Sequence, residues 1–390
     1  MNIREMVAYI VRIPLKKRIT HASHTRTETD NILVRVTLGD GTVGWGEGVP
    51  REYVTGESAE SGIQILQAGD LKSQFHACRD FSQALAMIER FRPADQPGDE
   101  RKITGNAARC AVELALLDAY GRVFGEPLCN IPKYLAPELF EFRDRVSYSG
   151  VITSAKGEMK LRLAAWRWKI FGTKQVKVKV GIEGYDDVNR LRKIRGRLGK
   201  NRDIRIDANE AWTPENAAGK IRELEPFGIT SMEQPLPHAR DAFLPALRKE
   251  INTPVMLDES LCGMVDAERA VADGWCDLFN LRLSKCGGFI PTLRLAEFAR
   301  KHGLGYQLGC QVGETAILSA AGRHFATSVK DIRYLEGSYD RHLVHYMLGE
   351  EDITFGWGGI APAIIRTGLG IKFQGDFIES RAIRREVLIG

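Results

Sequence analysis

Apolar and polar residues alternate in two textures along this chain, one at its start and another from about residue 146 onward. Residues 3–14 and 31–46 read as strands, the second stretch broken by Gly39-Asp40-Gly41, a hairpin signal between Ile32-Leu33-Val34-Arg35-Val36 and Val43-Gly44-Trp45. The polar stretch 21–27 is expected to be an exposed loop. Helical periodicity follows at 57–68, 79–91 and 105–123, where Ala107, Cys110, Ala111, Leu114, Leu117 and Ala119 make one apolar face ending near Gly125. Strands followed by helices predict an α+β unit over residues 1–135.

From there the pattern is strand and helix in strict alternation. Strands are predicted near Tyr148, Val178, Ile206, Met232, Leu257, Asn280, Gln307 and Leu335, with helices between them such as 185–198 and 291–302. Near-constant spacing predicts a closed parallel barrel over residues 136–354 rather than an open doubly wound sheet. No Gly-x-Gly-x-x-Gly follows the first strand of the series, which also speaks against a dinucleotide-binding fold. Residues 355–390 drop the alternation and are expected to return to the first unit.

The charges at the strand ends change this picture from fold to chemistry. In Gln175-Val176-Lys177-Val178-Lys179-Val180 a period of two puts both lysines on one face. The next three apolar runs end in Asp207, Glu233 and Asp258 at near-even spacing, and Lys285 follows one unit later. In a parallel barrel such positions share one mouth. Three neighbouring carboxylates repel unless a cation lies among them, and an all-oxygen donor set favours a hard divalent ion, Mg²⁺ with Mn²⁺ as a substitute. The plainer alternative makes each acid a helix cap or an exposed loop residue. Lys177 and Lys179 stand nearly opposite Lys285 around the ring, so one amine could remove a proton and another return it, with the pKa of a lysine lowered beside a second ammonium and a metal. They could also serve only as counter-ions. A metal-stabilised enolate with a base on each face makes a racemase or epimerase, whereas transfer on one face makes an elimination or ring closure.

Composition narrows the class. The chain has 390 residues, 44% hydrophobic and 27% charged, with a formal charge of +5 spread without a basic stripe, which disfavours nucleic acid and membranes as partners. Seven cysteines without a Cys-x-x-Cys pair fit a reducing compartment, so a cytoplasmic enzyme is expected. No signal peptide or membrane span is legible.

Five ordered motifs carry a resemblance: Lys177-Val178-Lys179, Asp207-Ala208-Asn209-Glu210, Met232-Glu233-Gln234-Pro235, Leu257-Asp258-Glu259-Ser260 and Ser284-Lys285-Cys286-Gly287-Gly288. Together with Gly44-Trp45-Gly46-Glu47 and residues 51–57, they resemble the muconate-lactonizing subgroup of the enolase superfamily, in the mandelate racemase/muconate lactonizing enzyme family. The resemblance implies a modified TIM-type (β/α)7β barrel closed by an N-terminal α+β capping domain, with Mg²⁺ on Asp207, Glu233 and Asp258. It implies Lys179 and Lys285 as the acid/base pair, Lys177 as the neighbour tuning Lys179, and Asn209, Gln234 and Glu259 as supports behind the acids. The loops holding His21, His24 and Arg26, and Tyr53 to Gly56, would cover a small carboxylate substrate, and similar proteins assemble as homo-oligomers. Dipeptide epimerases of the subgroup carry Asp-x-Asp at the eighth strand; here the region reads Glu336-Gly337-Ser338-Tyr339-Asp340, with Asp340 as the acid that could match, and Glu314 is a further pocket acid or the start of a helix. The activity implied is racemisation or epimerisation of an N-acyl amino acid or dipeptide. Muconate-type cycloisomerisation, dehydration to a succinylbenzoate-type product, and a non-catalytic binding protein are the rivals.

Overall fold

The structure, a computed structural model, describes residues 1–20, 25–153 and 157–390. Strands β1 (Ile3–Thr20), β2 (Thr25–Leu38) and β3 (Val43–Gly48) form an antiparallel sheet around the predicted hairpin, whose Asp40 side chain accepts from the Thr42 N–H at 2.9 Å. The helix Asn106–Phe124 lies across β3. Gly44, Gly46 and Gly48 recur with the strand period, and a Cβ at each would collide with the Ala115, Ala111 and Ala107 carbonyls. A glycine edge therefore lets helix and strand meet at backbone distance. The helix was expected to bury one face; instead Ala107 through Gly121 are all buried, because the sheet covers one side and the helices Ala59–Ala68, Phe81–Arg90 and Phe289–Lys301 pack against the rest. A helix buried all round must partner its polar side chains internally. Arg109, Glu113 and Asp118 do so, bonding backbone of other elements.

After β4 (Arg145–Ser147), the barrel runs through β5 (Gly150–Ile152), β6 (Gln175–Lys179), β7 (Asp203–Asp207), β8 (Ile229–Glu233), β9 (Val255–Leu257), β10 (Leu278–Leu281), β11 (Gly305–Leu308) and β12 (Ile332–Leu335). Neighbours in this order pair in parallel, and the Ser149 N–H donating to the Leu335 carbonyl at 2.8 Å joins first strand to last. Helices follow the first seven strands, among them Asp187–Leu198, Phe289–Lys301 and Ala316–Ser328, giving the (β/α)7β order. Beyond the barrel, β13 (Ile360–Pro362) pairs with β4, and β14 (Ala382–Ile389) crosses back to pair antiparallel with β1. No described helix is long and apolar enough to cross a membrane.

Candidate active site

The barrel interior at the strand ends is charged rather than apolar. Strand periodicity sends Lys177 and Lys179 of β6, Arg205 and Asp207 of β7, and Glu233 of β8 inward, where all but Lys179 are almost fully buried. Lys179 Nζ donates to Asp207 Oδ2 at 2.7 Å and also touches Asn209 Oδ1. Lys177 Nζ lies 3.2 Å from the same Asp207 oxygen, 3.4 Å from Glu233 and 2.9 Å from Glu336 Oε2. From the far side Lys285, in the turn after β10, spends its three protons on Asp258 Oδ1 at 2.9 Å, the Asp258 carbonyl at 2.7 Å and the Asn280 carbonyl at 2.8 Å. The acids thus lie on adjacent strand ends, Asp207 held from one flank and Asp258 from the other, with Glu233 between them.

Asn209 and Gln234 sit just past strand ends at φ 45° and 38°, in the left-handed region that costs a side-chain-bearing residue energy. The strain places their amides. Gln234 Oε1 accepts from the Asp258 N–H at 2.9 Å while its Nε2 donates to Ser260 Oγ at 2.7 Å, tying β8 to the loop after β9. Asn209 donates to Glu259 Oε1 at 3.4 Å.

The electrostatics follow from burial. Burial works against both charges, yet Glu233, Glu336 and Asp207 hold the Lys177 pKa well above the ordinary lysine value, and Asp258 raises that of Lys285. The lowered lysine pKa was expected beside a divalent ion; in the protein's own charges the acids dominate at Lys177 and Lys285. Against its burial, Asp207 is held below the usual carboxylate range by Lys179 and Lys177. Glu233 goes the other way, pushed up to about 8 by burial and then by Asp207. Its carboxylate is the one left short of positive charge, which fits a hard cation held by oxygen donors. However, among the described residues no three His, Cys, Asp or Glu side chains converge in metal-holding geometry. Basic groups are interleaved instead: the two lysines on Asp207, and Arg282 Nη2 touching Asp258 Oδ2 and lying 3.6 Å from Glu233 Oε1.

Arg282, Arg205, Asn280 and Glu336 enter the cluster without having been singled out. Asn280 donates to Glu233 Oε1 at 2.9 Å, and Arg205 lies 2.5 Å from Glu336 Oε1. Arg205 had a signal, two residues before Asp207 on the same face; Glu336 had one too, as a strand-end acid in the position of the other three. Asp340 lies elsewhere, buried with its Oδ2 accepting from Ser319 Oγ at 2.7 Å, so Glu336 is the acid of that loop that reaches Lys177. Glu314 precedes the helix Ala316–Ser328, accepts from the Gln311 N–H at 2.6 Å, and lines a small cleft with Tyr148, Leu283, Glu336 and Ser338. On the capping side the Arg26 guanidinium lies over the Tyr53 ring at 5.4 Å. His21 and His24 fall outside the described residues. The cap also grips the lysine turn: Asn106 Nδ2 donates to the Lys285 carbonyl at 2.7 Å, and Ser284 Oγ accepts from the Val49 N–H at 2.7 Å.

Family models match on both lobes: the mandelate racemase / muconate lactonizing enzyme N-terminal domain over residues 4–131 and an enolase C-terminal domain-like model over 160–377. An L-Ala-D/L-Glu epimerase of Clostridium acetobutylicum is 30% identical over 342 residues, 86% of this chain and 89% of that protein. An N-succinyl-L-Arg/Lys racemase of Bacillus cereus is 27% identical over the full length of both chains. The crystal structure of a dipeptide epimerase from Cytophaga hutchinsonii, complexed with Mg and D-Ala-L-Val, superposes with a TM-score of 0.82 at 26% identity, covering 100% of both chains.

Proposed function

Because this chain belongs to the mandelate racemase/muconate lactonizing enzyme family of the enolase superfamily, we propose that it racemises or epimerises an N-acyl amino acid or dipeptide at the carbon next to a carboxylate. It is an enzyme of the kind its relatives are, an isomerase. The observation that supports the finer reading is the pair of amines reaching the acid arc from opposite flanks, Lys179 on Asp207 and Lys285 on Asp258. Asp207, Glu233 and Asp258 would hold Mg²⁺, with Mn²⁺ as a substitute. Bound there, the ion supplies positive charge to the oxygens on which the enolate's charge develops.

The chain's own residues divide the remaining work. Lys285 is enclosed and kept protonated, so it is poised to deliver a proton to one face of the carbon. Lys179 keeps 22% of its side chain exposed and contacts only Asp207 and Asn209 among the described partners, so it has room to turn toward the other face. Lys177 is locked by three carboxylates and acts by its charge alone, restraining proton uptake by the acids and easing proton loss from Lys179. A cycloisomerase reading keeps support from the 29% identity to a chloromuconate cycloisomerase of Cupriavidus pinatubonensis over 84% of this chain.

Incubation of N-succinyl amino acids and dipeptides with the enzyme in D₂O separates these readings. The expected outcome is α-deuteration with inversion and no change in skeleton, reduced by about 10²–10⁴-fold in Lys179→Ala or Lys285→Ala. Turnover of a muconate without exchange on any amino-acid derivative, or full activity in both variants, would overturn the proposal.

A further inference from the structure

Arg282 lies one residue past β10 and three before Lys285, and its guanidinium touches Asp258 and lies 3.6 Å from Glu233, two of the three acids assigned to the ion. The position is built for it. At Gly309 a Cβ would stand 3.2 Å from Arg282 Cγ and would collide with Asn280 Oδ1, so the glycine after β11 admits the arginine stem. The side chain is only 14% exposed, and its Nε–H finds no acceptor among the described residues. Its Nη2 is kept on Asp258 and near Glu233. A carboxylate oxygen that faces an N–H donor cannot also give the same lone pair to a metal, so guanidinium and divalent ion draw on one set of oxygens.

We propose that Arg282 is an internal competitor for the divalent ion: it closes Glu233 and Asp258 on itself, yields when the ion enters, and so sets the affinity of the site. This rests on the assignment of Asp207, Glu233 and Asp258 as the ion's ligands, and the test separates the two. Calorimetric titration of Mg²⁺, and of Mn²⁺ followed by electron paramagnetic resonance, is made into chelator-stripped full-length protein, Arg282→Met and Arg282→Gln. Both neutral variants should bind the ion more tightly than the parent, by about 10-fold or more, as expected for removing a charge a few ångströms from the site. The two substitutions differ in polarity and packing, so a fold defect in one leaves the other to report, and thermal melts without ion identify it. If parent and variants all take no ion, the ligand assignment falls. If the parent binds and both folded variants bind equally or more weakly, the competitor role falls and the ligand assignment stands.

Discussion

Glu336 answers two buried cations at once, Lys177 at 2.9 Å and Arg205 at 2.5 Å. Against the cost of burial, those two cations hold its carboxyl well below the usual range, so the ionised form is part of the fold. A folded pKa lowered from 4.5 means that the stabilisation is present above about pH 4.5 and is lost as pH falls through the folded value. Glu336→Gln leaves Lys177 and Arg205 facing one another without the one carboxylate that bonds both. Removing one partner of a buried pair costs about 3–5 kcal/mol, the loss expected in urea unfolding at pH 7. A loss under about 1 kcal/mol would mean that water or Tyr334, whose ring lies 4.7 Å from the Arg205 guanidinium, carries that charge instead. At this scale the lysines and the three acids were legible because a strand's period of two fixes which residues share a face. Arg282 was not, since it follows the strand in a turn and its role depends on which acids the barrel brings beside it.

Among the elements, the helix Ala316–Ser328 shows what polar residues in a buried segment do. His324 accepts the Cys129 N–H on Nδ1 at 3.1 Å and faces the Leu369 carbonyl with Nε2 at 3.1 Å, so the tautomer with a proton on Nε2 satisfies both. Burial pushes its pKa down to about 4. The unfolded chain then binds the proton more readily than the folded one, so stability is full above about pH 6.5 and falls as pH drops toward 4. The expected contribution is about 3 kcal/mol between the two limits, read as a drop in urea midpoint from pH 7.5 to 4.5 that His324→Gln makes shallower. An unchanged slope in that variant would assign the drop to other groups. Sequence periodicity implied a helix between the strands near Gln307 and Leu335 but not its burial, because a period reports which face is apolar and not how many faces are covered. The helix Asn106–Phe124 gives the same lesson, with one face expected in the core and the entire girth found there.

Across the whole molecule, cap and barrel are joined by acids of one lobe seated on helix starts of the other. Glu47 of β3 accepts from the Thr315 N–H at 3.1 Å, Thr315 Oγ1 at 2.9 Å and the Leu318 N–H at 3.0 Å, and Glu113 accepts from the Ile290 N–H at 2.9 Å. Burial pushes the Glu47 carboxyl up to about 7, while these donors favour the anion. Glu47→Gln keeps the shape but turns an amide N–H₂ toward groups that are themselves donors. The expected cost is about 1–3 kcal/mol in urea unfolding, with a raised KM and a smaller change in kcat because the lobes meet less firmly over the lysine turn. No change in either would make these contacts incidental. The alternation of strand and helix made the barrel readable from the sequence, whereas these contacts join residues far apart in the chain and left no local trace.

The same long reach shapes how such a molecule is made. β14 covers the outer edge of β1, yet the entire barrel separates the two in the chain. While a ribosome is still delivering the barrel, the opening sheet exposes a long row of unpaired amides and carbonyls, open to any neighbouring nascent chain. Protection in that interval falls to chaperones or to speed, so conditions that slow translation should lower the soluble yield before they touch the finished enzyme.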